Sequence, residues 1–115
     1  LVRRLEPTHA QRYEAMPEVI EQFGLRRFQP EGTIYLYKPV PSALTPTGYL
    51  GRTTIMEFLV MSDPLRRLVM QHAGMGEIED QARAEGMRTM YEDGLVKALS
   101  GVTTIEEVLR VTQEN

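Results

Sequence analysis

The hydrophobic and polar positions divide the chain into an irregular first part, a strand-like middle and a helical second half. Residues 1–16 follow neither a period of 2 nor one of 3.6, and Glu6-Pro7-Thr8-His9 punctuates them as a loop. Pro17 suits the first turn of a short helix with the stripe Val19, Ile20 and Phe23, and Gly24 is placed to end it. Gly32 then releases the chain into Thr33-Ile34-Tyr35-Leu36-Tyr37-Lys38, β-branched and aromatic, which predicts a strand stopped by Pro39. Prolines 39, 41 and 46 exclude regular helix and central strand from the stretch that follows.

Gly48-Tyr49-Leu50-Gly51 opens the next segment. From Arg52 to Met61 the side chains alternate, Thr54, Met56, Phe58 and Val60 against Ile55, Glu57, Leu59 and Met61. Both faces are largely apolar, which predicts a strand covered on both sides. The two strands are expected to pair as an antiparallel hairpin closed by the proline-rich loop, with parallel neighbours in a larger sheet as the alternative.

Short helices complete the pattern. Asp63-Pro64 reads as an N-cap with proline at the first helical position, before a stripe of Leu65, Leu68 and Val69 that ends ahead of Gly74 and Gly76. Glu77 to Glu85 predicts a second helix, with Ile78 and Ala82 inward and Gly86 just past its end. Arg88 to Leu99 has the strongest period: Met87, Met90, Tyr91, Gly94, Leu95, Ala98 and Leu99 share one face. Gly94 costs about 1 kcal/mol there relative to alanine, which predicts close helix packing. Gly101 ends this helix, and Thr103 to Glu106 has capping-box spacing ahead of Ile105, Val108 and Leu109. The expected class is α+β: a small antiparallel β-hairpin followed by a compact C-terminal bundle of short helices.

At 115 residues the chain is one domain, able to bury about two-thirds of its unfolded surface. A formal charge of −3, with arginines scattered in pairs, argues against nucleic acid, since phosphate contact needs concentrated cationic charge. No apolar run approaches the roughly 20 residues of a bilayer-spanning helix. Zero cysteines exclude disulfides and thiolate metal sites. Leu1-Val2-Arg3-Arg4-Leu5 has neither an initiator Met nor a signal-peptide core, so the chain is expected to be a piece of a longer protein.

Candidate chemistry is sparse. The sequence lacks the Gly-x-x-x-x-Gly-Lys-Ser/Thr cradle and a helix-opening Gly-x-Gly-x-x-Gly, so it does not bind nucleotide phosphates by those devices. Gly74-Met75-Gly76 precedes a helix, but Glu77, Glu79 and Asp80 would repel phosphate. His72, near a helix end, reads as a dipole contact or a half-buried surface residue. Glu6 and His9 could supply two metal ligands, where a structural zinc needs four. Glu57, between Ile55 and Leu59 on one strand face, predicts a buried carboxylate met by an arginine or backbone donors. Asp93 and Arg88 read as helix-surface or packing groups. Methionines 70, 75, 87 and 90 read as core fillers before a partner groove.

Several separate blocks carry a resemblance. Gly48-Tyr49-Leu50-Gly51-Arg52-Thr53, Glu57-Phe58-Leu59, Gly86-Met87-Arg88-Thr89-Met90, Glu92-Asp93-Gly94-Leu95 and Gly101 through Thr112 together resemble the C-terminal end of the type II secretion and type IV pilus assembly ATPase family. Leu1 to Leu5 is similar to the last segment of that family's nucleotide-binding core. The implied division is residues 1–47 as the end of the core plus a zinc-knuckle-like loop, 48–62 as the buried strand and 63–115 as the helical bundle. The family commonly holds zinc with two Cys-x-x-Cys pairs, at positions matched here by Glu6, His9, Pro41 and Leu44, so the knuckle is lost and zinc is not expected. Thr54 stands where a glycine is usual.

The resemblance implies the end of a RecA-like, hexameric motor on the cytoplasmic side of a bacterial inner membrane, coupling ATP hydrolysis to protein transport or pilus extension. It implies ATP and Mg in the parent protein but no catalytic, cofactor-binding or metal residue in this chain. The residues carried over are a structural motif: Gly48, Gly51, Arg52, Glu57, Gly86, Arg88, Asp93, Gly94, Thr103 and Glu106, with Arg52 and Glu57 expected as ion-pair anchors. Implied partners are the remainder of the motor domain, neighbouring subunits and inner-membrane platform proteins, and no nucleic acid. The alternative is a stand-alone adaptor domain derived from that family.

Overall fold

The structure, a computed structural model, describes residues 1–57 and 61–112. Four short strands and five helices follow one another: β1 (Val2–Leu5), β2 (Gln11–Glu14), α1 (Pro17–Phe23), β3 (Tyr35–Lys38), β4 (Tyr49–Thr53), α2 (Asp63–Met70), α3 (Met75–Ala84), α4 (Met90–Leu99) and α5 (Ile105–Thr112). A single 3-10 turn, Leu25–Arg27, follows α1. The class is α+β.

The predicted hairpin between the third and fourth strands does not form. β1 pairs antiparallel with β4, and β2 pairs antiparallel with β3, giving two separate two-stranded sheets. Residues 1–16, which show no period and are punctuated by a loop at Glu6 to His9, therefore supply two of the four described strands. The reason lies in their patterning. The register slips between Arg3 and Leu5, so Val2 and Leu5 both point inward and the alternation is broken. All four residues of β2 are exposed, and it is held by its ladder to β3 and by the stacking of Arg12 on the Tyr35 ring, 4.1 Å from its centroid.

β4 is also shorter and less buried than the alternation predicted. It ends at Thr53, with Tyr49 and Thr53 half-buried and the three residues between them exposed. Among the described residues of this region, Ile55 alone enters a core, beside Val2 and Val108. Phe58, Leu59 and Val60, which filled much of the expected strand, lie outside the described residues.

Gly48 explains how the proline-rich loop meets the sheet. Its φ is +82°, and a Cβ there would lie 2.6 Å from the Pro39 Cβ and 2.7 Å from the Val40 nitrogen. Only glycine allows that approach. Its carbonyl accepts from the Glu6 amide at 3.0 Å.

The main core gathers Ala15, Leu25, Ile34, Leu36, Leu95, Ala98 and Ile105, with Val19, Ile20 and Phe23 of α1 packed against it. α4 lies on β3, α5 lies on β1, and the two helices pack on each other. α2 and α3 pack chiefly on one another. The helices thus split between a body and a hairpin and do not make one bundle. The molecule measures 57 × 29 × 25 Å, and its radius of gyration of 17.0 Å exceeds the about 13 Å of a compact chain this long.

Two cap assignments shift by one residue. Ser62, not Asp63, caps α2, its hydroxyl accepting from the Leu65 amide at 3.2 Å. Thr104, not Thr103, meets the first turn of α5, accepting from the Glu107 amide at 3.2 Å. A true capping box stands instead on α4, between Thr89 and Glu92. Gly86 takes φ +95° just past α3, as the spacing predicts. His72, just past α2, is exposed at φ +56°, a left-handed position more often held by glycine or asparagine.

Candidate functional site

The densest polar constellation joins the two ends of the chain. α5 places Thr104, Glu107, Val108 and Val111 on one face, spaced i, i+3, i+4 and i+7, and that face meets β1. The two valines fill the core with Val2 and Ile55, so Glu107 is carried inward and is only 2% exposed. Its carboxylate accepts from the Arg3 amide at 2.8 Å and the Arg3 guanidinium at 2.9 Å. Arg110, one turn along, donates from Nε at 3.1 Å and Nη2 at 3.0 Å. Burial by itself would raise the Glu107 pKa, but the hydrogen bonds from Arg110 and Arg3 outweigh it and hold the carboxyl at about 2.

Neighbouring groups close the joint. The Thr103 hydroxyl donates to the Arg3 carbonyl at 2.7 Å, and the Leu5 amide donates to the Val102 carbonyl at 2.9 Å. Tyr49 Oη and Thr104 Oγ1 lie 2.9 Å apart, and Arg3 stacks 4.2 Å from the centroid of the Tyr49 ring. The segment between α4 and α5 is thereby fastened to β1 and β4.

The sequence-selected residues fall in several places. Thr103 belongs to this joint, and Glu106 stands beside it, exposed, lining an open hollow with Tyr13, Lys38, Pro39 and Tyr49. Gly86, Arg88 and Asp93 come together around a second hollow of about 290 Å³, with Met56 and Lys97. There Asp93 accepts from the Met56 amide at 3.1 Å and from Lys97 Nζ at 2.8 Å. Burial would raise the Asp93 pKa, and the Lys97 and Met56 hydrogen bonds lower it on balance. Gly94 lies against α5, where a Cβ would come 2.6 Å from Val108 Cγ1. Gly48 and Gly51 frame the entry to β4, both at positive φ.

Arg52 and Glu57 differ from expectation. Arg52 sits opposite Arg3 in the β1–β4 ladder and is exposed. Glu57 is exposed as well, lying four residues past the end of β4. Among the described residues neither makes an ion pair. The methionines differ too: Met70 and Met75 are 72% and 80% exposed and fill no core.

Sequence reasoning missed Arg3, Tyr49, Thr104, Glu107 and Arg110. One signal was present. Glu107 shares an i, i+4 face with Val108 and Val111, and a carboxylate on an apolar face asks for a cation, which Arg110 supplies at i+3.

Glu6 and His9 do not present a metal site. The Glu6 carboxylate, buried, lies 2.7 Å from His9 Nδ1 and accepts from the Thr8 amide at 2.7 Å and the His9 amide at 3.1 Å. The His9 ring first, and the Thr8 amide next, hold its pKa at about 2. The side chains of Pro41 and Leu44 carry no atom that could ligate a metal. The loop around them is closed by Thr45, whose hydroxyl donates to the Tyr49 carbonyl at 2.8 Å, and by the Ser42 amide bonded to the Thr45 carbonyl at 2.9 Å. A zinc-holding knuckle does not fit these residues. Among the described residues no three His, Cys, Asp or Glu side chains gather as a metal site, and no helix is long and apolar enough to cross a membrane.

The densest polar cluster of this α+β fold fastens a helical end to a β-ladder. Comparison with known proteins identifies the family. A family model described as Type II/IV secretion system protein matches residues 1–110, and the chain belongs to that family. Type II secretion system protein E of Xanthomonas campestris pv. campestris is 68% identical over 99% of this chain and 20% of its own length. Type IV pilus assembly ATPase PilB of Thermus thermophilus is 42% identical over 85% of this chain and 11% of its own length. Type II secretion system ATPase E of Vibrio cholerae is 36% identical over 100% of this chain and 22% of its own length. The chain therefore spans about a fifth or less of the relatives it matches.

Proposed function

We propose that the chain is the non-catalytic C-terminal subdomain of a hexameric, RecA-like motor that hydrolyses ATP to power type II secretion or pilus extension. The identity of 68% to a secretion protein E, across nearly the whole chain but a fifth of that relative, carries the reading. ATP and Mg are held by the remainder of the motor, whose phosphate-binding devices this sequence lacks. Zinc plays no part here, since hydrogen bonds of Glu6 and Thr45 close the loop that a metal would otherwise organise.

The module's work is mechanical. The Arg3–Glu107–Arg110 joint ties α5 to β1, so a displacement of β1 is passed to α4 and α5 as one body. Its partners are the rest of its own motor domain, neighbouring subunits of the ring and platform proteins that hold the motor at the cytoplasmic face of the inner membrane. Two measurements test this together. The chain alone should give no saturable heat with Mg-ATP in calorimetry, and when substituted for the matching segment of the Xanthomonas relative it should sustain secretion. Micromolar nucleotide binding, or a stable, folded chimera that does not secrete, would sink the reading.

A further inference from the structure

We propose that β2 is the open edge through which two copies of this chain pair, antiparallel across a twofold axis, joining their β2–β3 ladders into one continuous sheet. The ladder itself shows which backbone groups are free. Gln11 faces Lys38, Arg12 faces Tyr37, Tyr13 faces Leu36 and Glu14 faces Tyr35, with no bulge. One step further in the same register, the Ala15 amide donates to the Ile34 carbonyl at 2.9 Å. Hydrogen-bonded pairs alternate with non-bonded ones in an antiparallel ladder, so Tyr13 and Gln11 bond to β3 while the amides and carbonyls of Arg12 and Glu14 point away from it. Neither residue has a backbone partner outside the ladder among the described residues. The outer edge of β1 is the contrast: there the Arg3 amide is met by Glu107, the Arg3 carbonyl by Thr103 and the Leu5 amide by Val102. Bare edges are normally blunted by proline, a bulge or a covering element. None of these stands on β2 among the described residues, and all four of its residues are exposed.

Charge selects a second copy as the occupant and fixes the register. Arg12 and Glu14 share one face of β2, and neither makes an ion pair among the described residues. Centred on Tyr13, a twofold pairing sets Arg12 opposite the partner's Glu14 and Glu14 opposite the partner's Arg12, both as hydrogen-bonded pairs that exchange their free amides and carbonyls. Residues so opposed have Cβ atoms about 4.5–5.5 Å apart, close enough for an ion pair at each position. Tyr13 meets the partner's Tyr13 on the other face of the sheet. A slip of two residues sets Arg12 against Arg12 or Glu14 against Glu14, and a slip of one turns the free groups onto groups already bonded to β3. One register therefore satisfies both the backbone and the charges. So short a strand buries little area, which makes the contact weak and dependent on concentration. This inference goes beyond the motor reading and does not depend on it.

The test is sedimentation equilibrium of the chain up to about 1 mM, where weak contacts become populated. It should show a monomer–dimer equilibrium. Arg12→Glu alone and Glu14→Arg alone set like charges opposite each other, and each should weaken the dimer by about tenfold or more. Arg12→Glu with Glu14→Arg puts opposite charges back and should restore it, and so should an equal mixture of the two single variants. Hydrogen exchange adds a readout that follows the strand's alternation: the amides of Arg12 and Glu14 should gain protection as concentration rises, while that of Tyr13, bonded to β3 already, should change little. Both side chains are exposed, so circular dichroism should show every variant folded. A chain that stays monomeric at the highest concentration would overturn the proposal and leave the edge to an extended segment of another protein. A dimer indifferent to the charge exchanges, or one that protects other amides, would overturn it too.

Discussion

Glu107 is charged, buried and 104 residues along the chain from the arginine it binds. Arg3 and Arg110 remain 45% and 54% exposed, so their charges keep part of their hydration while the carboxylate gives up nearly all of its own. Replacing it by Glu107→Gln removes the anion without opening a void. The arginines regain water, and the expected loss is about 1–3 kcal/mol in urea unfolding at pH 7. The sign of the pH dependence follows from the lowered pKa. A carboxyl at about 2 when folded, against 4.5 as its ordinary value, stabilises fully above 4.5 and loses that contribution as pH falls through 2. The gap between the wild type and Glu107→Gln should therefore narrow as pH drops from 4.5 to 2. Glu6, also at about 2, acts in the same window, so Glu6→Gln should likewise differ most from the wild type above pH 4.5. Curves that stay parallel down to pH 2 would contradict both assignments.

At the scale of elements, α4 and α5 approach closely because Gly94 has no side chain. Alanine would raise helix propensity by about 1 kcal/mol, yet its Cβ would sit 2.6 Å from Val108 Cγ1 in a filled core. Overpacking wins, and Gly94→Ala should cost about 1–3 kcal/mol net. Val108→Ala alone should also destabilise by leaving space. The double variant should be markedly more stable than the sum of the two losses, and strict additivity in a double-mutant cycle would show that the two residues do not touch. This packing was legible in the sequence, because a glycine inside the strongest helical period needs a reason. The C-terminal ends of α3 and α4 were legible to within one residue for the same cause, Gly86 and Gly101 occupying positive φ where spacing put a stop, whereas α3 begins two residues before the expected Glu77 and α4 two residues after the expected Arg88. Among the strands β3 was legible, ending at Lys38 where Pro39 put a stop, whereas β1 and β2 were not, since every residue of β2 is exposed and β1 hides its period behind a bulge.

Across the whole molecule, stability should be uneven. The body shares its apolar core among α1, β3, α4 and α5, whereas α2 and α3 pack chiefly on each other and fully bury only Leu65 and Ala82. Amides within 63–84 should exchange with deuterium at least about tenfold faster than those of α4 and α5. Equal protection would mean that the hairpin is part of the body's cooperative unit.

What the sequence by itself determined is local or composed of whole blocks. Turn glycines, helix periods and the α+β class depend on residues a few positions apart, and the family resemblance rests on motifs in order. Tertiary structure alone decided which strands pair, since a ladder is chosen by register, by a glycine at Gly48 that admits the Pro39 backbone, and by what covers each face. It alone exposed Glu57 and Met75, and it alone brought Arg3 to Glu107. Such contacts join residues a hundred positions apart, and no local period encodes a partner at that distance.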